Sequence, residues 1–126
     1  MNTPILKQGP YLIATLQAEQ SDSDFLELQE ALIDQVGRFR SCGVILDVTL
    51  LDVMDSFATR TLRNIAQAIR LRGAETVIVG IRPEIAFAMV QLGLDIRLTG
   101  IQTTLDLEEA LAILDRKRQE GKTCPR

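Results

Sequence analysis

A chain of 126 residues suits one domain folded around a single core, and 46% hydrophobic with 25% charged residues are ordinary globular proportions. A formal charge of −3 argues against a general nucleic-acid-binding surface, and 4% aromatic content removes the stacking platforms that single-stranded nucleic acid needs. The chain has no histidine, which excludes Ser-His-Asp and Cys-His nucleophile systems.

The first stretch, PILKQGPYLIATLQ, reads as two extended pieces bent at Gly9-Pro10, where proline supplies no amide donor. Leu12, Ala14 and Leu16 alternate with Tyr11, Ile13 and Thr15, which predicts partial cover on both faces. In SDSDFLELQEALIDQVGRFR, Asp24 and Glu27 have capping-box spacing, while Phe25, Leu28, Leu32, Val36 and Phe39 recur at helical steps. GVILDVT (Gly43 to Thr49) is short, apolar and β-branched, as a central strand buried on both faces requires. Phe57, Leu62, Ile65 and Ile69 form the stripe of a second helix that ends before Gly73.

AETVIVGI (Ala74 to Ile81) predicts another buried strand, and Pro83 suits the first turn of a third helix through EIAFAMVQLG. GIQTT predicts a short edge strand. The last helix begins near Asp106, with Asp106 and Glu109 again spaced as a box and Leu107, Ala110, Leu111 and Leu114 on its inner face. There is no internal repeat, low-complexity linker or second domain. Alternating strands and helices favour an α/β fold with a mixed or parallel sheet under helical cover, and several topologies satisfy that pattern.

Chemistry is scarce along the chain. Asp47 and Asp52 are a carboxylate pair of the kind that serves acid-base work or holds a hard cation, but one ends a strand and the other lies in its polar exit loop. Neither GxGxxG nor GxxxxGK[ST] occurs, so no phosphate-cradling loop is expected. The chain reads as a non-enzyme without metal or cofactor.

Cys42 and Cys124 are far apart and fit no zinc or CxxC spacing; they read as a small semi-buried residue and a loose thiol. No apolar run reaches the roughly 18 residues of a membrane span, and MNTPILKQGP lacks the features of a signal peptide. A reducing cytoplasm is the expected compartment. The basic end, RKRQEGKTCPR, fits a helix C-terminus followed by a frayed tail, with a binding arm as the other reading. Phe87, Met89 and Val90 exceed one narrow apolar stripe, so they are either core or partner contacts.

The junction LDVMDSFATRTL is the most informative stretch. Asp55 and Ser56 are both good helix N-caps, which explains their presence without any function. A second reading is open. A serine where a central strand passes into a helix lies at the carboxyl edge of the sheet, beside a helix N-terminus that tolerates phosphate.

DVTLLDVMDSFATRTL, then GAETVIVGIRPEIAFAMVQLGLDI and TTLDLEEAL, resemble STAS-domain proteins, the family of anti-sigma-factor antagonists, from about Pro4 to Leu114. GIRPEIA with the following LG, and TTLDLEEAL, are similar to the branch that builds stressosomes, which comprises RsbR-type and RsbS-type proteins. RsbR-type proteins carry an N-terminal sensory domain for which this chain has no room. They often carry a second acceptor threonine after GIRPEIA, where residues 86–90 here read AFAMV without a hydroxyl. Both departures favour the short RsbS type.

The resemblance implies a single STAS domain over residues 4–116, with a mixed sheet of about four or five strands under about four helices, and a basic tail over 117–126. It also implies that Ser56 is phosphorylated by an RsbT-type serine/threonine kinase, with Asp52, Asp55, Phe57 and Thr59 flanking the site or meeting partners. Thr59 and Thr61 lie nearby, but the motif marks neither as the acceptor. The unphosphorylated scaffold holds the kinase, phosphorylation releases it to act downstream in a stress pathway, and an RsbX-type phosphatase resets it. Other partners implied are an RsbR-type STAS paralogue in a large hetero-oligomer, with neither nucleic acid nor membrane. The alternative is a free STAS antagonist that binds an anti-sigma kinase directly. A receiver-like domain phosphorylated on Asp47 or Asp52, and a small α/β enzyme, are the other classes weighed.

Overall fold

The computed structural model describes residues 3–91 and 101–124. Two short strands, β1 (Ile5–Gln8) and β2 (Tyr11–Thr15), lead into α1 (Asp22–Phe39), β3 (Gly43–Asp47) and α2 (Ser56–Leu71). They are followed by β4 (Glu75–Val79), α3 (Pro83–Gln91), β5 (Gln102–Thr104) and α4 (Leu107–Gln119). The strands form one five-stranded mixed sheet in the order β1-β2-β3-β4-β5. Only the β1–β2 hairpin, turned at Gly9-Pro10, is antiparallel; β2 through β5 run parallel.

Strand alternation divides the core into two. Leu12, Ala14, Val44, Leu46 and Ile78 face a cluster completed by the inner stripes of α1 and α2 and by Met89 of α3. Tyr11, Ile13, Ile45, Val77 and Val79 face the other way, onto Ala110, Ile113 and Leu114 of α4. The double burial expected of β3 follows from this arrangement, since helices close both faces of its parallel neighbourhood. Gly43 permits the seating of α4: a Cβ there would lie 2.8 Å from both Leu114 methyl carbons. The Tyr11 hydroxyl donates to the Asp115 carboxylate and ties α4 to β2. Among the described residues no helix is long and apolar enough to cross a membrane.

Several local expectations shift. The first helix begins earlier than the Asp24–Glu27 spacing predicts, because Ser21 is the N-cap. Its hydroxyl accepts from the Asp24 amide at 3.0 Å, and the Asp24 carboxylate accepts from the Ser21 amide at 3.0 Å. Phe39 falls off the buried stripe and is 42% exposed, since α1 stops there and Arg40 turns left-handed at φ 50°. On α4, Ile113 takes the buried place expected of Leu107, which sits in the first turn and is exposed. Met89 is core, whereas Phe87 at 64% and Val90 at 50% exposure face outward. Leu92 and Gly93, the end of the expected third helix, lie outside the described residues.

The cysteines require the largest correction. Cys42 precedes β3 and Cys124 follows α4, and the fold brings their Cα atoms to 5.1 Å, joined as a disulfide. The basic end completes α4 to Gln119, as expected of a helix C-terminus, and then folds back instead of fraying. Gly121 reverses the chain at φ 75°, Thr123 is buried, and the Cys124 amide donates to the Gly73 carbonyl at 3.2 Å. A sequence separation of 82 residues hides this proximity.

Reducing the disulfide, or the Cys124→Ser substitution, should lower unfolding stability by about 2–4 kcal/mol, the usual effect of opening a long covalent loop. Denaturant melts with and without reductant check this, and coincident curves would show the pair contributes nothing. Tyr11, the single tyrosine of the chain, provides a second test. Burial, reinforced by the Asp115 hydrogen bond, holds its hydroxyl above the ordinary value of 10.0. The unfolded chain therefore ionises first, so this contribution to stability is intact below pH 10.0 and is lost as pH rises beyond it. The phenolate absorbance band should appear at higher pH in the native protein than in denaturant.

Candidate functional site

Parallel strands all exit at one edge, so the β2–α1, β3–α2 and β4–α3 loops are neighbours there. The middle loop carries the Asp-Ser junction. Leu51 and Met54 turn inward and are buried, while Leu50, Asp52 and Val53 face out, Val53 at 70% exposure. Backbone bonds pin the loop from both sides. The Asp52 amide donates to the Ala18 carbonyl at 3.2 Å, and the Leu51 amide donates to Val48 at 3.1 Å.

The β4–α3 loop supplies the other constraints. Gly80 adopts φ +86° and packs so tightly that a Cβ would lie 2.9 Å from the Thr49 Cα. A side chain there would be strained by both backbone and contact. The Arg82 guanidinium reaches across and donates from Nη2 to the Leu51 carbonyl at 2.6 Å. Arg82 belongs to the GIRPEIA stretch, in which the sequence assigned Arg82 itself no structural role.

Asp55 and Ser56 occupy different positions at the start of α2. Asp55 is the N-cap of α2, with an extended backbone and a carboxylate accepting from the Ala58 amide at 2.8 Å. Ser56 is the first helical residue, half-buried, and its hydroxyl makes no hydrogen bond among the described residues. Phe57 is half-buried and packs on the larger core cluster. Thr59 is 3% exposed and donates to the Asp55 carbonyl at 2.9 Å; Thr61, also buried, donates to Phe57 at 2.8 Å. Ser56 is thus the accessible hydroxyl of this first turn.

The setting is acidic. An open depression of about 560 Å³ beside the loop is lined by Glu19, Asp24 and Asp52, with Val53 and Ser21 among its walls. The Ser21 amide holds the Asp24 carboxyl below the ordinary carboxylate value. Asp47 does not join this group: its carboxylate closes a local turn by accepting from the Thr49 amide at 3.0 Å. Among the described residues no cluster of three or more His, Cys, Asp or Glu side chains is arranged to hold a metal ion.

The STAS domain model matches residues 5–110. The chain belongs to the STAS domain family. This STAS domain is 33% identical over 108 residues to the RsbT co-antagonist protein RsbRA of Bacillus subtilis, covering 84% of this chain and 38% of that protein. It therefore spans well under half the length of that curated relative. A solved Moorella thermoacetica RsbS variant superposes with a TM-score of 0.81 at 31% identity, covering 93% of this chain and 97% of that one. A chain from the molecular architecture of the stressosome, a signal integration and transduction hub, gives a TM-score of 0.76 at 31% identity, covering 92% of this chain and 99% of that one.

Because Asp55 rather than Ser56 caps α2, the two residues should respond differently to truncation. Asp55→Ala should cost about 1 kcal/mol of unfolding free energy. Ser56→Ala should stay within about 0.5 kcal/mol of the parent. Denaturant melts of the two variants decide it, and equal losses would make Ser56 part of the cap.

Proposed function

We propose that this STAS domain is a non-enzymatic, phosphorylatable scaffold of the stressosome, of the RsbS type. In this proposal it holds an RsbT-type serine/threonine kinase in the cytoplasm and releases it when Ser56 is phosphorylated, within a general stress pathway. The observation that carries the proposal is the division of labour at the start of α2: Asp55 makes the cap and leaves the Ser56 hydroxyl unused. The likeness to an RsbS chain over 97% of its length supports the RsbS type. The lack of a hydroxyl in residues 86–90 supports it too.

The switch follows from charge. A neutral hydroxyl docks against a partner at modest cost once hydrogen-bonded, whereas a phosphate must lose much stronger solvation. Phosphorylation adds about −1.5 to −2 charges. At Ser56 that charge lies at a helix N-terminus that stabilises it, so the domain itself tolerates the modification. It also lies beside Asp52, Asp55 and the acidic depression, where it repels an acidic docking surface and disturbs contacts made by exposed Leu50 and Val53. Phe87 and Val90 on α3 give the scaffold an apolar surface for an RsbR-type STAS paralogue. An RsbX-type phosphatase restores the neutral form.

Incubation with an RsbT-type kinase and ATP, followed by peptide mass mapping, should place one phosphate on Ser56 in the parent and none in Ser56→Ala. The phosphorylated protein should bind the kinase at least tenfold more weakly, equivalent to about 1.4 kcal/mol. Ser56→Asp should weaken binding only in part, since a carboxylate has less charge and fewer acceptor oxygens. Sizing with an RsbR-type paralogue should show a large particle rather than a 14.0 kDa monomer. Equal kinase affinity of the two phosphorylation states would overturn the proposed switch.

A further inference from the structure

We propose that Arg82 is the positioning residue of the phosphoacceptor loop, coupling the segment before Ser56 to the start of α3; the functional part of this role rests on Ser56 being the acceptor. Arg82 makes two different connections at once. Its side chain donates to the Leu51 carbonyl, 31 residues away in sequence, at 2.6 Å. Its own carbonyl accepts from the amides of Ile85 at 3.0 Å and Ala86 at 2.9 Å, which closes the first turn of α3. One residue therefore fixes both the loop that presents Ser56 and the helix that presents Phe87 and Val90.

The chemistry of the contact favours a positioning role over simple packing. Leu51 is fully buried, so its carbonyl must find a donor within the protein. A charged donor makes that bond short and strong, and the planar guanidinium fixes its direction. Yet the Arg82 Nε is also buried and has no acceptor among the described residues. Leaving such a donor unmet opposes stability. What arginine adds is reach and direction across the gap between two loops. Gly80 packing on Thr49 brings those loops close enough for the clamp to form.

Losing the clamp should free the loop without dismantling the sheet. Arg82→Met preserves much of the apolar stem and removes every donor; Arg82→Lys keeps the charge and a single donating point. In hydrogen–deuterium exchange of the full chain, Arg82→Met should speed exchange of the Leu51 to Met54 amides and of the first turn of α3 at least tenfold. The β3 amides should exchange as in the parent. With an RsbT-type kinase and ATP, kcat/KM for Ser56 should fall at least tenfold in Arg82→Met and recover in part in Arg82→Lys.

Unchanged exchange in the loop would overturn the clamp. Faster exchange with unchanged phosphorylation kinetics, measured well below the melting temperature, would overturn the positioning role. If Arg82→Met does not fold, Arg82→Lys decides both points, because its single donating nitrogen lacks the fixed guanidinium fork and should give intermediate exchange and kinetics; parental values in both would overturn the proposal. If the parent itself is not phosphorylated at Ser56, the proposed switch fails, while the exchange data still decide the clamp.

Discussion

Parallel pairing of β2, β3, β4 and β5 is the constraint on which the rest of the structure depends. Parallel neighbours need crossover helices, and those helices must bury the faces of the sheet. Strand exits consequently gather at one edge, where three loops brace one another. Asp52 bonds to Ala18 on one side, and Leu51 bonds to Arg82 on the other. The segment before Ser56 is thus a held loop, anchored inside by Leu51 and Met54 and outward-facing at Leu50, Asp52 and Val53.

A phosphorylation switch needs a hydroxyl that the fold does not itself consume. At the start of α2 the Asp55 carboxylate satisfies the Ala58 amide, and the Thr59 and Thr61 hydroxyls bond back to carbonyls one turn earlier. Ser56 alone among these side chains is left uncommitted and accessible in the described structure. Charge placed there meets two opposing fields. The helix N-terminus stabilises it within the domain, whereas the surrounding carboxylates make it repulsive to an acidic partner. Under the proposed function, that opposition would let one group alter docking while leaving the fold intact.

The opposite edge of the sheet is fastened by different chemistry. α4 lies close against β3 because Gly43 has no side chain to hold it off, and Tyr11 reaches Asp115 across that interface. Beyond α4 the chain turns at Gly121 and returns to Gly73 and Cys42. The carboxyl-terminal segment therefore closes the end of the sheet remote from Ser56. Covalent closure and the braced loops before Ser56 thus lie at opposite ends of the parallel strands.

The sequence by itself determined the element order, the double burial of β3 and the helix starting at Asp55-Ser56, because these depend on period and capping within a short window. It also carried the family resemblance, since GIRPEIA and the Asp-Ser junction are contiguous motifs. Only the tertiary structure decided which residue caps α2, because Asp55 and Ser56 have the same capping chemistry and differ only in where the backbone turns helical. The Cys42–Cys124 pair, the Ile113-for-Leu107 exchange and the Arg82–Leu51 bond were equally hidden. Each depends on where separate segments meet once the sheet is assembled, and no local pattern encodes the distance between chain positions so far apart.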